Sequence, residues 1–438
     1  MKKILLVGSG AREHVIAETL KRSKEEVSII AYGKAKNPGI LKIASRYEIG
    51  PIDKFDDLKK LAAEEKPDFA IIGPDDPIGD GAADALLELD IHSVAPLQIV
   101  ARLESSKSFT RDLVAKYEIP GNPKFKVFFE EEGMREFIEN ELGGEYVVKA
   151  DGLMAGKGVK VSGEHLLTVD EGVNYAKDCL HKTGRVVIEE KFVGQEFSLM
   201  CFCDGEHIAP MPAVQDHKRA FNDDKGPNTG GMGSYSDANH SLPFLKPEDI
   251  EAAIDIVKKT ALALFEETGV LFKGIMYGGF IVTKNGVKLI EFNARFGDPE
   301  VMNVLPILKT DFVEICEAII KGNLDKINVE FEQKATVCKY IVPEGYPDNP
   351  VKGAKIKINQ VPEGVKMYYS SVDQKDDGIY MSSSRAVAFV GIADTITQAE
   401  KSAASALKSV SGPVAYRTDI GTDALIQKRV EMMKKIRN

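Results

Sequence analysis

Five side chains in the stretch LIEFNARFGDPE, residues 289–300, bear a charge or an amide: Glu291, Asn293, Arg295, Asp298 and Glu300. They continue a segment, KLIEF, that alternates as a half-buried strand does. The plain reading is a strand that ends in a charged turn. The same residue types presented together are also what a metal and phosphoryl-transfer site requires.

Three glycine-rich stretches pose the same choice. GSGAREH follows a strand and opens a helix, but the third glycine of a dinucleotide fingerprint is replaced by Glu13. The second strand ends in IIAYGK without the acid that a nicotinamide cofactor needs, so hydride chemistry is set aside. The backbone amides from Gly8 through Gly10 to Ala11 predict an anion site at a helix start, with Arg12 and His14 adding charge. A phosphate or phosphoribosyl group suits it. In KADGLMAGKGVKV, Gly152 and Gly156 enclose three residues where a Walker loop has four, and Lys157 is followed by Gly158. This predicts a β-hairpin tip whose amides and Lys157 fold over a triphosphate, with Lys149 reaching from the incoming strand. An ordinary hairpin is the competing reading, yet so much glycine is costly in a mere turn. The third stretch, GPNTGGMGSYS at 226–236, does not by itself choose between connector and site.

These motifs must be held by elements. The first hundred residues alternate strand and helix (KKILLVG, REHVIAETLKRS, VSIIAYG, FDDLKKLAAEEK, PDFAIIGPDD, DGAADALLELD, IHSVAP), which predicts an open parallel sheet. Ligands of such sheets bind at the carboxyl ends of the strands, here Gly8–His14, Tyr32–Gly39 and Gly73–Asp76. Beyond residue 100 the alternation stops and an α+β region is expected. SKSFTRDLVAKYEIP forms its helix, and QEFSLMCFCDGEHIAPMPAVQ reads as one long alternating strand. After Gly322, strands in ATVCKYIVPEG, KMYYSSV and RAVAFVGIA and a helix in TITQAEKSAASALKSV make a small closing α+β domain.

Bulk properties narrow the function. A chain of 438 residues with 43% apolar and 28% charged residues is a globular protein of several domains. Its net charge of −10 argues against nucleic acid as a partner. The start, MKKILLVGSG, lacks a signal-peptide core, and no stretch approaches the roughly 18 apolar residues of a membrane span. Five scattered cysteines without a C-x-x-C pair are expected to be reduced, buried and structural. A cytoplasmic location follows.

The segments GSGAREH, GPDDPI, SSKSFTRD, KADGLMAGKGV, VIEEKFVGQEFS, QDHKR, GPNTGGMGSYS and IEFNARFGDPE together resemble the ATP-grasp superfamily and, within it, the phosphoribosylamine–glycine ligase (glycinamide ribonucleotide synthetase) family. The trio QDHKR, PNTGGMG and EFNARFGDPE, in this order, is its most specific part. The resemblance implies a multidomain α/β and α+β protein with an N-terminal open α/β domain (1–103), an ATP-grasp body (104–325, with a hinged lid at about 122–192) and a C-terminal domain (326–438). It also implies ATP-dependent ligation of glycine to 5-phosphoribosylamine through glycyl phosphate, with Mg²⁺ or Mn²⁺. A formate- or bicarbonate-using ligase of the same superfamily is the alternative. A monomer or weak dimer is expected.

Residue roles follow from the resemblance in the same way. Lys107, Lys149, Gly152, Gly156, Lys157 and Gly158 would hold phosphates. Glu189 or Glu190, with the backbone near Phe192 and Val193, would meet adenine, and Glu196 the ribose. Glu291 and Asn293, two apart and so on one strand face, would bind the metal through hard oxygen ligands. Asp216, with Lys218 beside it, would hold the glycine ammonium, and Arg295 the glycine carboxylate or the phosphoryl group. The amides of Gly230, Gly231 and Gly233 would close over the acyl phosphate. Gly8, Gly10, Arg12, His14, Pro74 and Asp75 would face phosphoribosylamine, with Asn37 a weaker contact. Arg385 would lie near the nucleotide, and a second metal's acid is missing from GIMYGGFIVT.

Overall fold

The computed structural model describes residues 1–154 and 158–438, so the expected phosphate ligands Gly156 and Lys157 lie outside the described residues. Strands β1 (Lys2–Val7), β2 (Val27–Gly33), β3 (Arg46–Ile49), β4 (Phe69–Ile72) and β5 (Ser93–Val94) pair in parallel in the order 3-2-1-4-5. Ile4 to Val7 are buried, as strands covered by helices on both faces must be. The order reverses between β1 and β4, so the crevice for a ligand lies outside their carboxyl ends. One expectation is corrected here. PDFAIIGPDD is not all strand, because β4 ends at Ile72 and a helix, Asp75–Asp80, starts after Pro74. Asp75 and Asp76 occupy its first turn, where the helix dipole favours acids.

Strands β6 (Phe125–Phe128), β7 (Tyr146–Ala150), β8 (Val159–Val161) and β9 (Val186–Glu190) form a separate antiparallel sheet under the helix Val169–Thr183. Phe128, Tyr146, Val148, Val186 and Ile188 belong to a hydrophobic cluster of its own. The body sheet runs β11 (Ile208–Pro210), β10 (Gln195–Cys203), Gly274–Thr283, Gly286–Asn293, all antiparallel. The long alternating run expected as one strand is therefore a hairpin. Asp204 makes the turn by accepting the backbone N–H groups of Glu206 and His207 at 3.0 and 2.7 Å.

A further sheet joins the segment Gly233–Ser236 to the strands Ala335–Pro343, Val387–Ala393 and Lys366–Tyr369. The GPNTGGMG stretch is thus anchored by the C-terminal part of the chain. The helices Pro247–Thr268 and Asp423–Arg437 were not among the expected elements. All five cysteines are buried and free, in accord with the expectation.

Candidate active site

The strand Gly286–Asn293 carries the metal candidates, and its alternation is broken on purpose by one residue. Gly279 pairs with Glu291 but Phe280 pairs with Leu289, so Ile290 is an extra residue, a β-bulge. Before it the odd-numbered Val287 and Leu289 face the core; after it the even-numbered Phe292, Ala294 and Phe296 do. Strict alternation would put Glu291 and Asn293 on the same face as Leu289. The bulge turns them to the other face, together with Arg295.

The freed backbone at the bulge is held by cations. Arg111 donates to the carbonyls of Leu289 (3.2 Å) and Ile290 (2.6 Å), and Lys149 donates to that of Ile290 (2.8 Å). Both cations pair with Glu189, Arg111 through two hydrogen bonds (2.7 and 3.0 Å) and Lys149 at 2.5 Å. All three side chains are buried. Burial would raise the Glu189 carboxyl, but Arg111 and Lys149 outweigh it and hold it below the usual range. Glu189 and Lys149, expected at adenine and at a phosphate, are paired with each other in this cluster.

The Glu291 carboxylate has no hydrogen bond among the described residues. Among the described residues the nearest cation is Lys218 Nζ at 3.8 Å. Burial works against its charge, yet Lys218, Lys149, Lys107 and Arg295 keep its carboxyl below the ordinary range. Asn293 Oδ1 accepts from Arg295 (3.3 Å), and Arg295 is clamped in turn by Glu104 (2.9 Å). Glu104 also accepts the N–H of Ala294 at 2.7 Å. An ionised carboxylate and an amide oxygen on one face fit a hard divalent cation that completes its shell with phosphates. Among the described residues no group of three or more His, Cys, Asp or Glu gathers as a metal cage.

The base of the glycine hairpin is fixed to the helix Lys107–Lys116. Asp151 accepts from Ser106 Oγ (3.2 Å) and from the Ser108 amide and hydroxyl (3.1 and 2.7 Å). Lys107 donates to the Gly152 carbonyl at 2.8 Å, which brings two expected phosphate ligands together. On the expected adenine side, Glu190 accepts the Lys124 amide at 2.7 Å, Phe192 lies under Lys288, and Val193 is 60% exposed.

A cavity lined by Glu196, Phe197, Asp216, Lys218, Tyr277 and Glu291 joins the expected ribose, amino-acid and metal residues. Asp216 Oδ1 is buried in the wall without a hydrogen bond. Burial, with Glu300 nearby, pushes this carboxyl well above the usual range. Among the described residues the acid has no cationic partner in contact. Gly231, at φ +109°, makes room for it, since a Cβ there would come within 2.6 Å of Asp216 Oδ1. Lys218 stays protonated: burial lowers it, but Glu291, Glu196 and Asp216 raise it more.

The glycine loop is held differently than expected. The Gly231 amide donates to Thr229 Oγ1 (3.0 Å) and the Met232 amide to the His217 carbonyl (2.8 Å). Gly233 lies in a strand pairing with Lys339. The Gly231 and Met232 amides are thus engaged within the protein, while that of Gly230, 3.5 Å from the Tyr346 hydroxyl, is loosely held. Arg385, expected near the nucleotide, is engaged by this loop and by Asp298. It donates to the carbonyls of Gly230 (2.7 Å), Gly231 (3.1 Å) and Asp298 (2.9 Å) and pairs with the Asp298 carboxylate at 3.2 Å. Asp298 and Glu300, whose roles the sequence left open, accept from Tyr340 (2.7 Å) and Tyr277 (2.8 Å).

The first loop brings the largest corrections. The Gly10 amide donates to Glu13 (2.6 Å) and that of Gly8 to the Tyr32 carbonyl (2.8 Å), so neither is free for an anion. Glu13, at the position of the missing third glycine, caps its own helix. His14 is buried between Tyr368 and Tyr369 and accepts the Tyr369 amide on Nδ1 at 3.0 Å. Burial depresses it to about 3, so it adds no charge to the site. Asn37 caps the helix Pro38–Ile43 and donates to the Tyr369 carbonyl at 2.8 Å, a structural role. Arg12 remains: it donates to the Gly73 carbonyl, and its Nε is buried and unpaired. Burial would raise Asp75, but Arg295 and Arg12 hold it low. Arg12, Pro74 and Asp75 therefore connect the β1–β4 crevice to Arg295.

Arg111, inside the SSKSFTRD motif, and Glu104, just before it, adjoin the site but were given no role among the expected ligands.

Comparison with known proteins matches the chain to the models for phosphoribosylglycinamide synthetase in three parts: the N domain over residues 2–104, the ATP-grasp (A) domain over 105–301 and the C domain over 336–423. It is 48% identical over 435 residues to a phosphoribosylamine–glycine ligase from Methanocella arvoryzae, covering 99% of this chain and 100% of that one. A relative of that name from Methanosarcina barkeri is 47% identical with the same coverage. A crystal structure of phosphoribosylamine–glycine ligase from Thermotoga maritima superposes with a TM-score of 0.80 at 28% identity, covering 95% of this chain and all of that one. The biotin carboxylase domain of a Hydrogenobacter thermophilus 2-oxoglutarate carboxylase, at TM-score 0.73 and 17% identity over 99% of this chain and 94% of that one, shares the fold.

Proposed function

The chain belongs to the phosphoribosylglycinamide synthetase family of ATP-grasp ligases, and we propose how its residues divide the work of joining glycine to 5-phosphoribosylamine. The reaction uses ATP and gives glycinamide ribonucleotide, ADP and phosphate, a step of purine biosynthesis. The carboxylating alternative drops out, because its support is a likeness in fold alone. The observation that carries the assignment of roles is the shared cavity, in which an unpartnered Asp216 faces the same space as Lys218 and Glu291.

A carboxylate is a poor electrophile, so glycine must first accept the γ-phosphoryl group of ATP. The amine of phosphoribosylamine then attacks the acyl carbon, and phosphate leaves. Such transfer depends on positioning and on charge neutralisation. Asp216 receives the glycine ammonium, which ends the isolation of its buried carboxylate. Lys218 and Arg295 neutralise the glycine carboxylate and the phosphoryl oxygens as charge moves between them. Lys107, with Lys157, holds the phosphate tail beneath the glycine hairpin. Glu196 takes the ribose, and adenine lies along Glu190, Phe192 and Val193. Glu291 and Asn293 would hold Mg²⁺ or Mn²⁺, which when bound neutralises phosphate charge. Arg12, Pro74 and Asp75 position phosphoribosylamine.

In this reading, residues 1–103, 104–325 and 326–438 are the three domains and the sheet β6–β9 is the lid, about 122–192. Among the described residues no helix is long and apolar enough to cross a membrane. A cytoplasmic monomer or weak dimer is proposed. ADP release is expected to need both glycine and freshly made phosphoribosylamine. Equal release with formate in place of glycine would refute the reading.

A further inference from the structure

The bulge at Ile290 sets which way the metal candidates face, and a bulge leaves backbone groups outside the ladder that need other partners. Its two exposed carbonyls, of Leu289 and Ile290, meet one planar cation, Arg111. Arg111 lies on the helix Lys107–Lys116, a different element from every expected ligand except Lys107. A guanidinium reaches two carbonyls and one carboxylate at once, which an ammonium does not do. Arg111 makes two hydrogen bonds to Glu189 and also donates to Asn122 Oδ1 at 3.3 Å. Glu189 then fixes Lys149, which shares the Ile290 carbonyl. One cluster thus ties the body strand to β7 and β9 of the small sheet.

We propose that Arg111 is a positioning residue for phosphoryl transfer: by gripping the Leu289 and Ile290 carbonyls it keeps the bulge, and so keeps Glu291 and Asn293 turned toward the phosphates. Without it the cheapest relaxation of the strand is regular pairing, which rotates Glu291 toward the core face. The proposal rests on the reading of Glu291 as a metal ligand. Glu189 is part of the same device, since losing it leaves Arg111 and Lys149 buried with only carbonyls to face.

The test is a titration of free Mg²⁺ at fixed ATP, glycine and phosphoribosylamine, read by ADP release, on Arg111→Lys, Arg111→Met and Glu291→Gln. Arg111→Lys keeps the charge and is expected to fold; its melting temperature and far-ultraviolet circular dichroism check this. The expected result is a tenfold or larger rise in the Mg²⁺ concentration for half-maximal rate in Arg111→Lys, and more in Arg111→Met, with the glycine KM within twofold of the parent. Mn²⁺ is expected to restore part of the rate, as it would not for a globally loosened protein. If Arg111→Met does not fold, Arg111→Lys alone decides. A half-maximal Mg²⁺ within twofold of the parent overturns the proposal. A parallel rise in the glycine KM also overturns it, in favour of general loosening. Glu291→Gln separates the two layers. If it leaves the Mg²⁺ requirement unchanged, the metal reading falls and takes the proposal with it. If it changes the requirement and Arg111→Lys does not, only the positioning role falls.

Discussion

Replacing Asp216 by Asn should damage glycine binding and leave the fold as stable as before. Asp216 Oδ1 is buried and unpaired, and Glu300 adds a like charge nearby. The folded carboxyl therefore holds its proton to higher pH than it would in the unfolded chain. Folding is penalised above the ordinary carboxylate range, and the penalty vanishes as pH falls below it. Leaving such a group unsatisfied costs about 1–3 kcal/mol. Asn has the same shape without the charge, so at pH 7 the melting temperature of Asp216→Asn should be unchanged or higher. In the proposed role glycine reverses the balance, because its ammonium supplies the missing partner. A charge-assisted hydrogen bond contributes about 1.5–3 kcal/mol, which is roughly 10- to 150-fold in affinity. The glycine KM of Asp216→Asn should rise by that factor while the ATP KM stays within about threefold. The parent enzyme should also lose glycine affinity as pH falls, since glycine then has to displace a proton from Asp216. Initial ADP release over a glycine titration, repeated across pH, measures both. A glycine KM within twofold of the parent, or a melting temperature several degrees lower, would refute the reasoning.

Arg385→Met should loosen the Gly230–Gly231 turn that Arg385 and Asp298 pin, lowering kcat at least tenfold with a small change in ATP KM; steady-state kinetics decides. His14 and His217 are both buried and depressed to about 3, so both are neutral when folded. Stability should therefore be lost as pH falls through about 6.5 toward 3, with an uptake of roughly two extra protons on unfolding. Melting temperatures between pH 7 and 5 would show the slope, and the ring protons of both histidines should not titrate in that range by NMR.

The parallel sheet was legible from the apolar runs of β1, β2, β4 and β5 and the helical spacing between them, but the helix Pro38–Ile43 and the edge strand β3 were not, because both are short and β3 is only half-buried. Glu291, Asn293, Arg295, Asp216 and Lys218 were legible as types in specific motifs. Their facing was not, because Leu289 and Glu291 have the same parity and a one-residue bulge leaves no mark in an alternating pattern. Arg111 reads as one more charge on a helix until the chain brings Ile290 to it from 179 positions away. His14 was misread for the same reason: its neighbours in sequence suggest an anion loop, but its burial comes from Tyr368 and Tyr369. Glu13 at the third-glycine position was seen as a missing signal, when it is the residue that satisfies the Gly10 amide.

The seal formed by His14 and Asn37 on Tyr369 has a consequence for how the enzyme comes into being. Two of the bonds that shape the first loop join residues 355 and 332 positions apart in the chain. Lys36 adds more, donating to Asp373 (3.1 Å) and accepting from the Gln374 amide (2.9 Å). During synthesis the parallel sheet has all its strands once Val94 emerges, and domains fold as units from the N-terminus. Its ligand loop, however, stays unbraced until the last fifth of the chain is made. A nascent chain thus carries a finished sheet with an unfinished crevice, and the proposed phosphoribosylamine site matures only with the C-terminal sheet.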